Sequence, residues 1–309
     1  MTGVLYLLLG IILLYLSGEW LVTGSISLAN NLKVQPFVIA LTLVAFGTSA
    51  PELAISVNSA IKGYQGITIG NIVGSNIANV LFALPLAFLI KIPKKSVIKK
   101  TDCIFLIVAT IFFSYVFIKI KSFGVFTGII MLLMLAIYII FIIVEALKGK
   151  REFDAEDIAV NYNLRKSILF SIIGLVGILI GSEILVKGAI LTANFLGISQ
   201  AIIGLTIVAI GTSIPEVVTS IVAAIRGQTN FILGAILGSN LFNLLAITGV
   251  ASTITLLSTS NLLSNIDIFY LFYSTIAFVL IATFLNLLNK KCVLVMLISY
   301  LIYVLFIYI

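Results

Sequence analysis

About ten stretches of this chain are apolar over close to 20 residues or more, the length a helix needs to cross some 30 Å of hydrocarbon. They lie near residues 3–31, 36–61, 67–90, 98–119, 123–147, 167–195, 199–225, 230–254, 263–288 and 291–308. Apolar residues run through them continuously instead of alternating, which excludes a β-barrel. Only 9% of the 309 residues are charged and 61% are hydrophobic, against roughly 25% charge in a soluble chain. So little charge cannot clothe a water-facing surface. The chain therefore reads as an all-α integral membrane protein, and not as a soluble enzyme, a nucleic-acid reader or a secreted disulfide scaffold. The expected surroundings are a lipid bilayer, with no nucleic acid and no obligate protein partner. The first segment lacks a basic leading region and has a counterpart deep in the chain, so it is read as a retained span, not a cleaved leader.

That counterpart belongs to an internal repeat. Residues 17–79 align without a gap onto 181–243, offset by 164, with 28 of 63 positions identical. The identities favour Gly, Ser, Thr, Asn, Pro and Glu over the Leu and Ile that apolar composition alone would match. The chain divides into a first half, 1–147, a charged linker, 148–166, and a second half, 167–309. The most similar stretches of the halves lie near 36–90 and 199–254.

The basic residues predict sidedness. With the N-terminus outside, 14 Lys and Arg fall in inner loops and only Lys62, Lys119 and Lys121 in outer ones. The excess of positive charge inside predicts both termini outside, the linker in the cytoplasm, and a cell-membrane location. Five spans per half is an odd number, so the halves are expected to insert in opposite orientations, giving ten helices as two inverted five-helix repeats. Such repeats typify alternating-access carriers with a site at the midplane.

Both halves carry the same interruption: Gly47-Thr48-Ser49-Ala50-Pro51-Glu52 and Gly211-Thr212-Ser213-Ile214-Pro215-Glu216. Gly, two hydroxyl residues and Pro should break a helix, with the hydroxyls capping its second part. The break is expected to free backbone carbonyls around Ala45 and Ala209, tolerable at this depth only if they line a polar cavity. A charged residue in mid-membrane costs ~2.5–3.5 kcal/mol, whereas complementing a helix N-terminus returns only ~0.3–1 kcal/mol. Glu52 and Glu216 are therefore expected to serve function. The next span of each half holds GNIVGSNIAN from Gly70 and GAILGSNLFN from Gly234. Ser75 and Asn79, like Ser239 and Asn243, are four apart and share one helical face. Asn76 and Asn240 are read as interhelical hydrogen-bonding residues. Glu19 and Glu183, also repeat-matched, are read as structural or gating.

The chain has no histidine, and its two cysteines, Cys103 and Cys292, lie far apart in sequence. No imidazole or thiolate site is expected, and a serine hydrolase built on Ser49 or Ser213 would lack a base. The candidate ligands are all oxygen, a set that suits hard cations such as Na⁺ and Ca²⁺. No resident cofactor is expected.

The two GTSxPE motifs, each followed by GxxxGSNxxN, resemble the repeats of cation/calcium antiporters, in particular Na⁺/Ca²⁺ exchangers. The resemblance implies Ca²⁺ extrusion driven by Na⁺ entry. It implies cation sites among Glu52, Glu216, Asn79 and Asn243, joined by hydroxyls of Thr48, Ser49, Ser75, Thr212, Ser213 and Ser239 and by the Ala45 and Ala209 carbonyls. K⁺-dependent relatives carry an acid at one of the two Asn positions, and proton-coupled relatives carry a different, GNxxE-like signature. An H⁺-coupled antiporter is the alternative reading, and a cation channel stands behind it. Two carboxylates sharing one low-dielectric site should also bind protons in competition with cations, so acidic pH is expected to inhibit.

Overall fold

The structure, a computed structural model, describes residues 2–92, 98–149, 162–196, 211–259, 265–284 and 288–308. Its helices are α1 (Thr2–Asn31), α2 (Pro36–Thr48), α3 (Ala50–Ile61), α4 (Gln65–Ile90), α5 (Lys100–Ile120), α6 (Val125–Leu147), α7 (Leu164–Phe195), α8 (Ile214–Ile225), α9 (Thr229–Ile254), α10 (Asn265–Thr283) and α11 (Lys290–Tyr308). Among the described residues seven helices are long and apolar enough to cross a membrane, or eight if the bent pair α2 and α3 is one span. The segment expected at 199–225 is represented by α8 alone, because 197–210 fall outside the described residues. Most of the expected linker, 150–161, falls outside them too.

The repeat governs local structure as well as sequence. Shifting α3 and α4 by 164 positions gives the bounds of α8 and α9. Both α4 and α9 loosen into a wider π turn midway, at Asn79–Ala83 and Phe242–Ile247. The two irregularities fall at repeat-related places.

α1 and α7 pack along their whole length, and small residues permit the approach. A Cβ added to Gly174 would stand 2.3 Å from the Leu21 amide nitrogen. α9 enters the centre in the same way: a Cβ on Gly238 would lie 2.1 Å from the Leu41 carbonyl oxygen of α2. In a bilayer no hydrophobic drive pulls helices together, so close backbone packing and hydrogen bonds must do so.

Among the described residues one strand pair departs from the all-helical expectation. Ser122–Phe123 (β1) pairs antiparallel with Leu257–Ser258 (β2), Phe123 opposite Leu257. The loops that these strands belong to would otherwise leave buried backbone groups unpaired. Gln65 joins them, donating to the Leu256 carbonyl (3.0 Å) and accepting from the Ser258 amide (3.1 Å). At the opposite end of the helices Asn31 donates to the Tyr162 carbonyl (2.8 Å), and Lys99 pairs with Glu145 at 3.1 Å.

Candidate cation site

The break between α2 and α3 is a 44° bend at Ser49, whose φ and ψ are −85° and 9°. Ser213, its repeat mate, stands at −86° and 0° before α8. Pro51 and Pro215 lie in the first turn of the helix that follows, where their missing N–H costs least.

Two details differ from the sequence expectation. Neither Ser49 nor Ser213 caps its helix through the side chain. The Ser49 hydroxyl instead crosses to the other half, donating to Glu216 Oε1 at 3.0 Å. A carboxylate acceptor is a stronger partner than a backbone amide. The second difference concerns the carbonyls. That of Ala45 accepts the Ser49 amide at 3.1 Å and is not freed. The carbonyl that loses its partner lies four residues before each proline, on Gly47 and Gly211, because proline has no N–H to offer. Ser182 of α7 supplies the substitute at Gly211, donating at 3.1 Å. Ala209 lies outside the described residues.

The rest of the site is assembled across the two halves. Ser239 Oγ stands 2.7 Å from Ser49 Oγ and 3.3 Å from Glu216 Oε1. Thr48 also reaches Glu216, and Thr212 of the second half reaches Glu52 of the first. Asn79 donates its amide to Ser239 Oγ (2.9 Å) and to Asn240 Oδ1 (3.0 Å). Glu52, Glu216, Asn79 and Asn243 are each at most 4% exposed. Ser75 and Ser213 are buried as well, and Thr212 is half-buried.

Glu52 Oε2, Glu216 Oε2, Asn79 Oδ1 and Asn243 Oδ1 are buried and accept no hydrogen bond. An unsatisfied buried acceptor normally costs about 1–3 kcal/mol, and more when charged. Four such oxygens on repeat-related residues of two packed halves are what a cation would satisfy. Among the described residues no three acidic, cysteine or histidine side chains gather. A cation here would meet two carboxylates and neutral oxygens, a hard donor set.

Asn240 bridges the halves as its sequence position implied, and it also fixes Asn79. With both amide hydrogens of Asn79 engaged, its buried carbonyl oxygen is the atom left without a partner. Asn71, not singled out in the sequence, secures α4 to α3 by donating to the Glu52 carbonyl (3.2 Å) and Ser56 Oγ (2.9 Å). Two further pairs were also missed. Tyr138 donates to Asp102 and Tyr303 to Asp267, each at 3.0 Å, tying α6 to α5 and α11 to α10. Their shared offset is 165, one more than the offset of the ungapped alignment. Extending that alignment past a one-residue insertion would have found them.

A family model described as "Sodium/calcium exchanger protein" matches residues 2–144 and 166–309. The chain belongs to this family. The putative antiporter CaxA of Alkalimonas amylolytica is 34% identical to it over 263 residues, covering 82% of this chain and 81% of that protein. The sodium/calcium exchanger MaX1 of Methanosarcina acetivorans is 32% identical over 285 residues, 80% of this chain and 81% of its own. Among solved structures, the sodium-calcium exchanger NCX_Mj soaked with 10 mM Na⁺ and 10 mM Sr²⁺ superposes with a TM-score of 0.81. It is 32% identical, with 97% of each chain covered. The protein is thus a multi-pass membrane antiporter of the sodium/calcium exchanger family, a transporter and not an enzyme.

Proposed function

We propose that this exchanger moves Ca²⁺ out of the cell against Na⁺ entering, by alternating access to one shared site. Glu52, Glu216, Asn79 and Asn243 hold the cations. Thr48, Ser49, Ser75, Thr212, Ser213 and Ser239 line them, joined by the Ala45 and Ala209 carbonyls. The observation that carries this reading is the set of four buried, unpartnered oxygens on repeat-related residues. Na⁺ and Ca²⁺ both suit such oxygens.

The carrier is read as ten helices in two inverted halves, 1–147 and 167–309, joined by a cytoplasmic linker at 148–166, with both termini outside the cell membrane. Loop contacts support this. Segments expected outside, near 65, 122 and 257, touch one another. Segments expected inside touch at the opposite end, Asn31 with Tyr162 and Lys99 with Glu145.

Coupling follows from charge. Empty, the site holds two carboxylates in a poorly solvated interior, and closing over them is costly. Either one Ca²⁺ or several Na⁺ relieves that cost, so loaded carriers change state and empty ones do not. A ligand moves such an equilibrium only by its differential affinity for the two states. The test is Ca²⁺ flux in proteoliposomes under imposed Na⁺, K⁺ or H⁺ gradients. Uptake should follow the Na⁺ gradient alone. Flux that ignores Na⁺ and collapses with the pH gradient would establish proton coupling instead.

A further inference from the structure

The site helices α3 and α8 descend from one repeat, yet their outer faces meet different neighbours. α1 lies along α8: a Cβ added to Gly18 would stand 2.8 Å from Val222 Cγ2 and 3.3 Å from Val218 Cγ1. Val222 is accordingly 2% exposed. One turn further, Arg226 at the end of α8 donates to Glu19 of α1, from Nε at 2.7 Å and from Nη2 to the same carboxylate oxygen. The helix face is covered, and its end is pinned.

Shifted by 164 positions, these residues become Ser182, Ala54, Asn58, Lys62 and Glu183. Ala54, Asn58, Ile61 and Lys62 of α3 are all exposed. Glu183 is exposed as well, and among the described residues neither it nor Lys62 forms an ion pair. Both halves therefore own an acid on the long helix and a base at the end of the site helix. The acid of the first half is joined to the base of the second across the interface, whereas the acid of the second half and the base of the first stand apart.

A protein of two equivalent halves that satisfies this contact once has a second arrangement with the roles exchanged. There α7 covers α3 as α1 now covers α8. We propose that Glu19–Arg226 and Glu183–Lys62 are alternating latches, one closed in each access state, and that this structure holds the first. On this proposal the contact of α1 on α8 closes the end where Asn31 meets Tyr162, and the exposed face of α3 assigns access to the Gln65 end. Each latch joins partly exposed groups, so each biases the two states by only about two- to fivefold. Such a small bias stops either state from becoming a trap. This inference rests on the alternating access proposed above, but its test does not depend on which ions are carried.

The measurement is labelling of Asn58→Cys by a membrane-impermeant maleimide from the Gln65 side, in vesicles, with Cys103 and Cys292 replaced by serine. Arg226→Glu opens the present latch and should slow labelling about two- to fivefold. Glu19→Arg combined with Arg226→Glu rebuilds the pair with reversed charge and should restore it. Glu183→Lys removes the alternative latch and should speed labelling or leave it at its maximum. Unchanged labelling in Arg226→Glu, or slowed labelling in Glu183→Lys, overturns the proposal. Glu183 is exposed and has no ion-pair partner among the described residues, so Glu183→Lys keeps the fold and tests the idea even if Arg226→Glu does not assemble. Labelling that follows this pattern in a protein showing no Na⁺-driven Ca²⁺ flux would reject the proposed ions and leave the latches standing.

Discussion

α9 and α1 have similar mean hydropathy but opposite surroundings. Across their most apolar stretches α9 is 100% buried and α1 only 28%. α9 uses that burial to hide Ser239, Asn240, Asn243 and Thr248, while α1 presents Leu5, Leu8, Leu9, Ile11 and Ile12 outward. Apolarity marks both as spans, and small and polar residues decide which one lies inside. In lipid the polar groups must find protein partners, so they define the centre of the molecule. A change to α9 should therefore be costly where a similar change to α1 is not.

The largest effect should come from the carboxylates packed against α9. Glu52→Gln and Glu216→Gln each remove a charged ligand, and the loss should exceed the ~10–100-fold typical of outer-shell partners. Na⁺-gradient-driven Ca²⁺ uptake in vesicles measures it, and uptake intact in both variants would sink the site assignment. Gly238→Val comes next, since its side chain must displace the α2 backbone at Leu41. It should destabilise by ~1–3 kcal/mol or more, seen as a lowered melting temperature in detergent. Leu9→Val on the lipid face of α1 should stay within about 0.5 kcal/mol; equal losses in the two would erase the contrast.

Asn240→Ala should weaken Ca²⁺ binding by about 10-fold, the low end for a residue that acts through a ligand. Because that effect passes through Asn79, it should vanish in an Asn79→Ala background. Full additivity in equilibrium Ca²⁺ binding would make Asn240 merely structural. The gentlest probe is pH. Protons and cations compete for Glu52 and Glu216, so exchange should fall as the medium is taken down toward about pH 5, where carboxylates begin to hold protons. A flat profile would mean that the carboxylates do not titrate against the cargo.

The main helices, and the burial of Glu52, Glu216, Asn79 and Asn243, were legible because they rest on strong local signals. Continuous apolar runs specify spans, and a buried Glu after a Gly-Thr-Ser-x-Pro break is too costly to be incidental. What escaped depends on contacts between distant segments. The Ser49 hydroxyl had a local amide to cap and a carboxylate 167 positions away, and only the fold brings the carboxylate within 3.0 Å. The π turns at Asn79–Ala83 and Phe242–Ile247 are equally silent in sequence, since no residue type demands them. The Ala45 carbonyl, expected to be freed, keeps the Ser49 amide; the carbonyl that proline deprives of a donor lies four residues before it. The Asp102–Tyr138 and Asp267–Tyr303 ties lay beyond the ungapped alignment.

The short β pairing has a bearing on how such a molecule moves. β1 belongs to the first half and β2 to the second, and Gln65 of the first half grips Leu256 and Ser258 of the second. Thr259 adds its amide to the Lys121 carbonyl (2.9 Å) and its hydroxyl to the Phe117 carbonyl (2.9 Å). Together they rivet the halves at one face, so rocking one half as a rigid body against the other would tear every one of these bonds at once. α1 and α7 make none of these bonds, so a displacement of those two helices would leave the rivet whole.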